Sequence, residues 1–556
     1  MNRPWLVIIL GLLFFLGTFI LLEWGIEFFF APPLPDLSSS QAVLAEPVKR
    51  VTQAKVNLLK FKDCYAYEKE GIPACYLTGQ PEVKGSAIGR FYTKQTVELE
   101  RSLINSVVEQ IPSDLFRWFL ARYLIMRNHN LYRFIPEEIQ YEIAGLVAST
   151  KDLYPRYGKQ YTRFLNYLAA PDISHSLVNW PMIGCTAIGV NAEFTKNATP
   201  LLARNFDFEG GEAFNKYKLV MLIKPKKGQS FISIAWPGMF GVVSGMNDSG
   251  LGVVLLAGHS SISPHHGSPG SVLARKVLTQ AETLEQAIEI IRKAKVFAFE
   301  SFMLGSGVED RFVIVEKTTH KTGIKEMSGG RILATDHFLT WAARYARTNQ
   351  DYQREGASVL RLKRLQELVG AKKNEMDIAS IVEILRDRQG LFGEELGLGN
   401  KIAINPLIAS HGVVFDLRNK IAWVSQGPHQ LGAFIPFAMS DFLGKSEYKK
   451  IPADVLLTSG KYKEYVKYKQ EYTRAEKLFA KKKYRATLAK LLEIRSLNPK
   501  DYKSFILAGK SLEQLRRWDE AYYNFHMAKK MSPAFFIENI EIERKLQELE
   551  RKKVKI

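Results

Sequence analysis

Gly184-Cys185-Thr186-Ala187-Ile188-Gly189-Val190-Asn191-Ala192-Glu193 is a strand-like run that opens beside a cysteine. A short turn follows at Lys196-Asn197-Ala198. The next strand-like run, Thr199-Pro200-Leu201-Leu202-Ala203, ends in Arg204-Asn205-Phe206-Asp207. Two such runs around a short turn read as a hairpin, which brings Arg204 and Asp207 back beside Cys185. A thiol, a guanidinium and a carboxylate at one hairpin end make a candidate catalytic site. Because Cys185 lies deep inside the chain, its full activation calls for a cut before it.

That cut has a chemical rationale. A cysteine released at Gly184-Cys185 carries both a thiol and a free α-amine. Their ordinary pKa values are about 8.5 and about 7.7–8.0, so the amine can take the thiol proton near neutral pH without a histidine. The thiol can attack the preceding carbonyl itself, and Gly184 leaves that carbonyl unhindered.

Beyond the hairpin, short strand candidates separated by Gly, Pro and Asn read as an antiparallel meander. They are 219–223, 231–235, 241–244 and 251–256. Residues 272–295 read as one or two amphipathic helices. Further strands are expected at 302–304, 312–315, 330–334, 413–416 and 421–425, with helices at 356–369 and 376–388. Strands and helices in blocks point to layered sheets and helices, not to a parallel α/β repeat. Before the hairpin, apolar residues recur at helical spacing from Thr93 to about Tyr167. His265-His266 have no acidic or cysteine partner at ligand spacing, and no metal or cofactor is expected.

The segment resembles the N-terminal nucleophile (Ntn) hydrolases, in the branch of choloylglycine hydrolases, penicillin V acylase, acid-ceramidase-like enzymes and isopenicillin N acyltransferase peptidases. The landmarks are the Gly184-Cys185-Thr186 junction, Arg204-Asn205-Phe206-Asp207 and Gly245-Met246-Asn247-Asp248-Ser249-Gly250-Leu251. Thr335-Asp336-His337-Phe338, Ser358 to Arg361, and Val413 to Asp416 followed by Trp423-Val424 continue the order. The resemblance implies a four-layer αββα sandwich and attack on a linear amide through an acyl-thioester. It makes Cys185 nucleophile and, through its amine, base. It gives Asp207 the α-amine, sets Arg204 against the thiolate, assigns Asn247 to the oxyanion, and adds Arg361 to the charged cluster. One position departs. The family has asparagine where Asp336 stands, and an ionised aspartate cannot donate to an oxyanion. Either Asp336 is protonated, or the local alignment is off, or the oxyanion hole is degraded.

The chain has 556 residues and a net charge of +20, enough for several domains and a surface suited to anionic partners. No zinc-finger, RNP-type or basic-zipper signature points to nucleic acid. Trp5 to Leu22 is an uncharged run of about 18 residues, near the length of a bilayer-spanning helix. Ala31-Pro32-Pro33-Leu34-Pro35 follows instead of a cleavage site, so an uncleaved anchor is expected. Arg3 then places the catalytic part on the periplasmic or extracytoplasmic side. In such a compartment Cys64 and Cys75 either form a disulfide or remain two buried thiols. Near the C-terminus, Tyr484 and Trp518 are offset by 34 residues, as are Pro499 and Pro533. That is the tetratricopeptide period.

The expected plan is a signal-anchor at 1–30, a linker at 31–56, a helical pro-region or alpha chain at 57–184 with short strand-like pieces at 57–92, the catalytic core at 185–445 and tetratricopeptide-like repeats at 446–556. The expected activity is that of a membrane-anchored, self-cleaving amidohydrolase or N-acyltransferase acting on an N-acylated small molecule, peptide or lipid. The rivals are an inactive envelope scaffold that binds a protein partner through the repeats, and a module that binds anionic surfaces.

Overall fold

The computed structural model describes residues 25–53, 56–170, 172, 183–256, 258, 266–444 and 448–553. The apolar run Trp5–Leu22, Trp180 to Met182 and His265 lie outside the described residues. Among those described, no helix is long and apolar enough to cross a membrane.

Seventeen strands occur among the described residues, and they form two sheets. Four precede Cys185: β1 (Lys49–Gln53), β2 (Val56–Phe61), β3 (Cys64–Lys69) and β4 (Ile72–Leu77). The hairpin is β5 (Ile183–Val190) and β6 (Leu201–Phe208). The meander is β7 (Leu219–Ile223), β8 (Phe231–Ala235), β9 (Ser244–Asn247), β10 (Leu251–Leu256), β11 (Glu300–Ser306), β12 (Arg311–Lys317) and β13 (Thr322–Glu326). The last are β14 (Arg331–Ala334), β15 (Ala409–Asp416), β16 (Ile421–Ser425) and β17 (Phe434–Ala438).

The larger sheet runs β1-β2-β3-β4-β7-β8-β9-β10-β11-β12-β13, and the smaller runs β14-β5-β6-β15-β16-β17. All ladders are antiparallel except the parallel pairing of β4 with β7. The strands of the hairpin alternate between two cores, as a two-residue side-chain period requires. Cys185, Ala187, Leu202 and Phe206 join a core that includes Val253, Phe302 and Phe312 of the larger sheet. Ile188, Val190, Leu201 and Ala203 face the opposite way, against Leu365, Val369, Ile381 and Leu385. Those last four belong to helices Ser358–Gly370 and Ile378–Leu385. On the outer face of the larger sheet, helices Gly270–Gln280 and Leu284–Lys293 pack on β9 to β12, and Pro81–Phe91 packs on β3. The order is helix, sheet, sheet, helix, the four-layer α+β sandwich expected from the sequence.

Two expectations change. The linker expected at 31–56 supplies an edge strand, because Lys49 to Gln53 pair with Val56 to Lys60. The helical pro-region or alpha chain expected at 57–184, with strand-like pieces at 57–92, is not a separate unit: Ala74 to Leu77 pair with Val220 to Ile223. Of the two alternatives for Cys64 and Cys75, the structure has the buried free thiols. On the β3–β4 ladder Cys75 faces Ala66, two residues from Cys64, and such diagonal pairs sit too far apart for a disulfide.

The C-terminal part is all helical: Lys461–Ala480, Tyr484–Ile494, Tyr502–Gln514, Trp518–Lys530 and Phe536–Lys553. Each helix packs on the next, and two of them start at the offset residues Tyr484 and Trp518. This stack is docked on the sandwich. Asn498 clamps the backbone of Leu398, accepting from its N–H and donating to its carbonyl at 2.9 Å each. Leu407 and Leu431 are buried with Tyr465, Tyr468 and Leu491.

Candidate active site

The β5–β6 register sets out the centre. Cys185 pairs with Phe206, Ala187 with Arg204, and Gly184 with Asp207. Side chains two residues apart share a face, so Cys185 and Arg204 both point between the sheets. The Arg204 guanidinium reaches the Cys185 Sγ at 2.6 Å. It is steadied by the carbonyls of Val243 at 3.0 Å and Leu255 at 2.9 Å and lies over the Phe206 ring. Burial pulls the Arg204 pKa down, while the Cys185 sulfur and the nearby carboxylates oppose that shift. A guanidinium remains charged throughout the ordinary pH range, so it favours a thiolate at Cys185.

On the other side of Cys185 are two carboxylates and one arginine. β14 pairs Ala334 with Ala187, so Asp336, two residues further, arrives opposite Cys185. Its Oδ1 accepts the Cys185 backbone N–H in a short hydrogen bond. Its Oδ2 is 2.6 Å from Arg361 Nη2, and Arg361 Nη1 is 3.2 Å from Asp207 Oδ2. Burial raises the Asp207 pKa to about 6 against the pull of Arg361, with the Asp336 charge adding to the rise. Burial also raises Asp336, opposed by Arg361 and the Cys185 N–H. A side chain at Gly184 would lie 3.4 Å from the Oδ2 atoms of both aspartates.

The structure thus brings together Cys185, Arg204, Asp207, Asp336 and Arg361 around the Gly184-Cys185 bond. Two placements differ from expectation. In the intact chain the Cys185 N–H is held by Asp336, while Asp207 stands across from Gly184 and meets Arg361. Asn247 is committed elsewhere. Its Nδ2 donates to Leu278 and Ala281 carbonyls at 3.0 and 2.7 Å, and its Oδ1 accepts from Ser249 and Leu251 N–H groups. It ties the β9–β10 turn to the end of helix Gly270–Gln280. It also stands three residues along β9 from Ser244, the end nearest Arg204, which puts it about 10 Å further on.

A carboxylate that accepts an N–H and faces a guanidinium is placed as an anion, not as an oxyanion donor.

Four further groups were not legible in sequence. Tyr352, on helix Arg347–Glu355, has its pKa driven up by burial, with the nearby Asp336 charge adding to it. Ser244 Oγ lies 3.4 Å from Arg204 and 2.9 Å from His411 Nε2. His411 stacks on Phe206 and is kept neutral by burial. An apolar cavity of about 90 Å³ is walled by Phe206, Leu99, Leu103, Phe164, Trp236 and Met239. Nothing in the local sequence announces these, since each is assembled from distant segments.

Residues 194–424 match the family described as Acyl-coenzyme A:6-aminopenicillanic acid acyl-transferase. The matched span contains Arg204, Asp207, Asp336 and Arg361 and begins after Cys185. It supports an enzyme of the amide-hydrolase and acyltransferase class. An uncharacterized protein of Archaeoglobus fulgidus is 22% identical over 268 residues, which is 45% of this chain. The chain spans 44% of that relative's length. Among solved structures, the N-acylethanolamine-hydrolyzing acid amidase ortholog of Caenorhabditis elegans is 15% identical with a TM-score of 0.32, covering 42% of this chain and 93% of its own. A mutant form of the conjugated bile acid hydrolase from Clostridium perfringens is 16% identical with a TM-score of 0.33, over 48% and 98%. Penicillin V acylase from Agrobacterium tumefaciens is 17% identical with a TM-score of 0.31, over 46% and 84%.

Proposed function

We propose that this chain is a self-cleaving cysteine amidohydrolase or N-acyltransferase, tethered to a membrane by its N-terminal apolar segment, with the catalytic part on the extracytoplasmic side. One observation carries the reading. The Cys185 thiol meets a buried guanidinium while the Cys185 backbone nitrogen meets a buried carboxylate. The first stabilises a thiolate; the second holds whatever group occupies that nitrogen position.

In the first stage the Cys185 Sγ attacks the Gly184 carbonyl and the C–N bond of that peptide breaks, leaving a thioester. Water cleaves the thioester, giving a Gly184 carboxylate and a Cys185 with free amine and thiol. Cys185 is fully buried with the bond intact, so opening the site follows the cut. In the second stage the amine takes the thiol proton, and the thiolate attacks a substrate amide carbonyl. The substrate amine leaves with that proton. Water then yields the acid, or an acceptor amine takes the acyl group. The cavity at Phe206 favours an apolar acyl group, because Phe206 is the cross-strand neighbour of Cys185 on the same face.

The C-terminal helices act as a brace in this reading. Their Asn498 clamp already holds Leu398 of the same chain, which is the support for a tetratricopeptide-like stack turned inward.

Intact mass and N-terminal sequencing of the purified protein, beside Cys185→Ala, test the proposal. Two pieces, the second beginning at Cys185 and absent in the variant, support it. An uncut chain that is also unlabelled by a thiol-reactive amide probe refutes it.

A further inference from the structure

Helix Asp114–Arg127 is amphipathic in an unusual sense: it turns two arginines inward with Trp118 and presents its other aromatics outward. Arg117, Trp118, Arg122 and Ile125 are buried, with the Arg122 guanidinium over the Trp118 ring. Leu115, Phe116, Phe119, Tyr123 and Met126 are 41–59% exposed. Their spacing puts them on one side of the helix, so they form a single apolar stripe and not scattered residues. Contiguous exposed apolar patches of this kind mark interaction surfaces.

Three observations say what covers the stripe. The chain's apolar N-terminal run enters the described structure at Gly25, and the residues after it lie along this helix. Glu27 approaches Arg122 at 4.0 Å, and the Phe30 ring meets His129, just past the helix end, at 5.7 Å. Phe28 and Phe29 are 81% and 76% exposed at that spot. The exposed stripe and the segment Glu27 to Phe30 are therefore neighbours on one side of the molecule. Beside this helix packs the Pro155–Tyr157 turn, with Lys151 and Lys159 exposed around it, while Arg156 is paired with Asp114 at 3.6 Å. An apolar stripe with a cationic border suits an interfacial helix lying in an anionic bilayer surface.

We infer that helix Asp114–Arg127 docks into the membrane interface beside the N-terminal apolar segment, with Phe116, Phe119 and Tyr123 as its wedge. The partner is a lipid surface with anionic headgroups. The contact fixes how the sandwich stands on the membrane, which a single flexible tether does not do. It does not depend on the chemistry proposed at Cys185.

The test uses the full chain reconstituted in phosphatidylcholine vesicles containing phosphatidylglycerol. A Cys185→Ala, Phe119→Cys variant is labelled with an environment-sensitive fluorophore; Cys64 and Cys75 are buried and stay unlabelled in the folded protein. Nitroxide lipids with the spin label near the headgroup should quench this probe several-fold more than a probe at Tyr523→Cys, on the C-terminal helices. Adding Leu115→Glu, Phe116→Glu and Tyr123→Glu should abolish the difference while the protein still floats with the vesicles. Equal quenching at the two positions overturns the proposal, as does quenching that survives the glutamates. A probe that is shielded yet unquenched, and becomes exposed on dilution, overturns it in favour of a second copy on the stripe.

Discussion

Asp336 Oδ1 accepts the backbone N–H of Cys185, and its other oxygen faces Arg361 at 2.6 Å. One carboxylate thus joins the nucleophile's nitrogen to the buried cation that also serves Asp207. In Asp336→Asn the amide oxygen still accepts the N–H, but the ion pair is gone. Turnover of the cut protein should fall about 10²-fold, the scale of losing one preorganised electrostatic partner of the reacting group. Stability carries a second signature. The folded Asp207 pKa of about 6 lies above its ordinary 3.8, so the folded state keeps a proton that the unfolded state loses. Stability therefore falls as pH rises between those values. Without the Asp336 charge that pKa comes down, and the fall in melting temperature across that window should shrink. An unchanged pH dependence would count against the coupling.

Arg204→Lys keeps a charge but gives up the fork that holds the Sγ and two carbonyls together. Turnover should drop about 10²-fold, the scale of losing one preorganised charged donor. The thiol of the cut protein should need a higher pH for alkylation, since the contact that favours its anion is weakened. Alkylation rate against pH measures this, and an unshifted profile would remove Arg204 from the proposed role.

Lys218 is a buried ammonium whose described acceptor is the Ser425 carbonyl at 3.0 Å. Burial pushes its pKa down to about 7. The unfolded chain then binds more protons than the folded one between about pH 7 and 10.5, so this residue makes stability rise with pH over that range. Below pH 7 the full cost of the buried charge remains. Lys218→Met should raise stability at pH 6 by roughly 1–4 kcal/mol and flatten the alkaline rise. Thermal unfolding at pH 6 and pH 9 checks both.

Gly85 and Gly145 let two helices cross in contact. A Cβ on Gly85 would fall 1.8 Å from the Glu142 carbonyl oxygen, and one on Gly145 would fall 2.0 Å from that of Glu82. Backbone cannot yield as a side-chain tip does. Gly145→Ala should cost roughly 1–3 kcal/mol or more, seen as a lower urea midpoint, and should loosen the neighbouring Lys84–Glu142–Arg275 ion network.

Much of the sandwich is legible in sequence because its central strands are continuous apolar runs with turn residues at their ends. Leu219–Ile223, Phe231–Ala235, Leu251–Leu256 and Ile421–Ser425 are strands with the bounds their composition suggests. The edges are less so. β13 is Thr322–Glu326, with only Gly323 buried, and β17 carries Pro436, which an edge strand tolerates. At the site, local order places Arg204 and Asp207 beside Cys185 because a hairpin is a short-range object. The exchange of partners between Asp207 and Asp336 depends on the register of β14 against β5, which is set by packing across more than 140 residues and leaves no mark in either segment. Asn247 shows the reverse failure: a motif resemblance predicts a reacting group where the structure has a turn tie.

The parallel β4–β7 ladder joins strands from the two sides of the Gly184-Cys185 bond. Tyr67 and Lys69 of β3 add hydrogen bonds to the carbonyls of Phe442 and Pro436. A cut at that bond would turn these tertiary contacts into a subunit interface, making a heterodimer from a single translation product. The apolar N-terminal segment would stay on one subunit and the nucleophile on the other, held together by non-covalent contacts alone. Refolding, unimolecular before the cut, would afterwards depend on protein concentration.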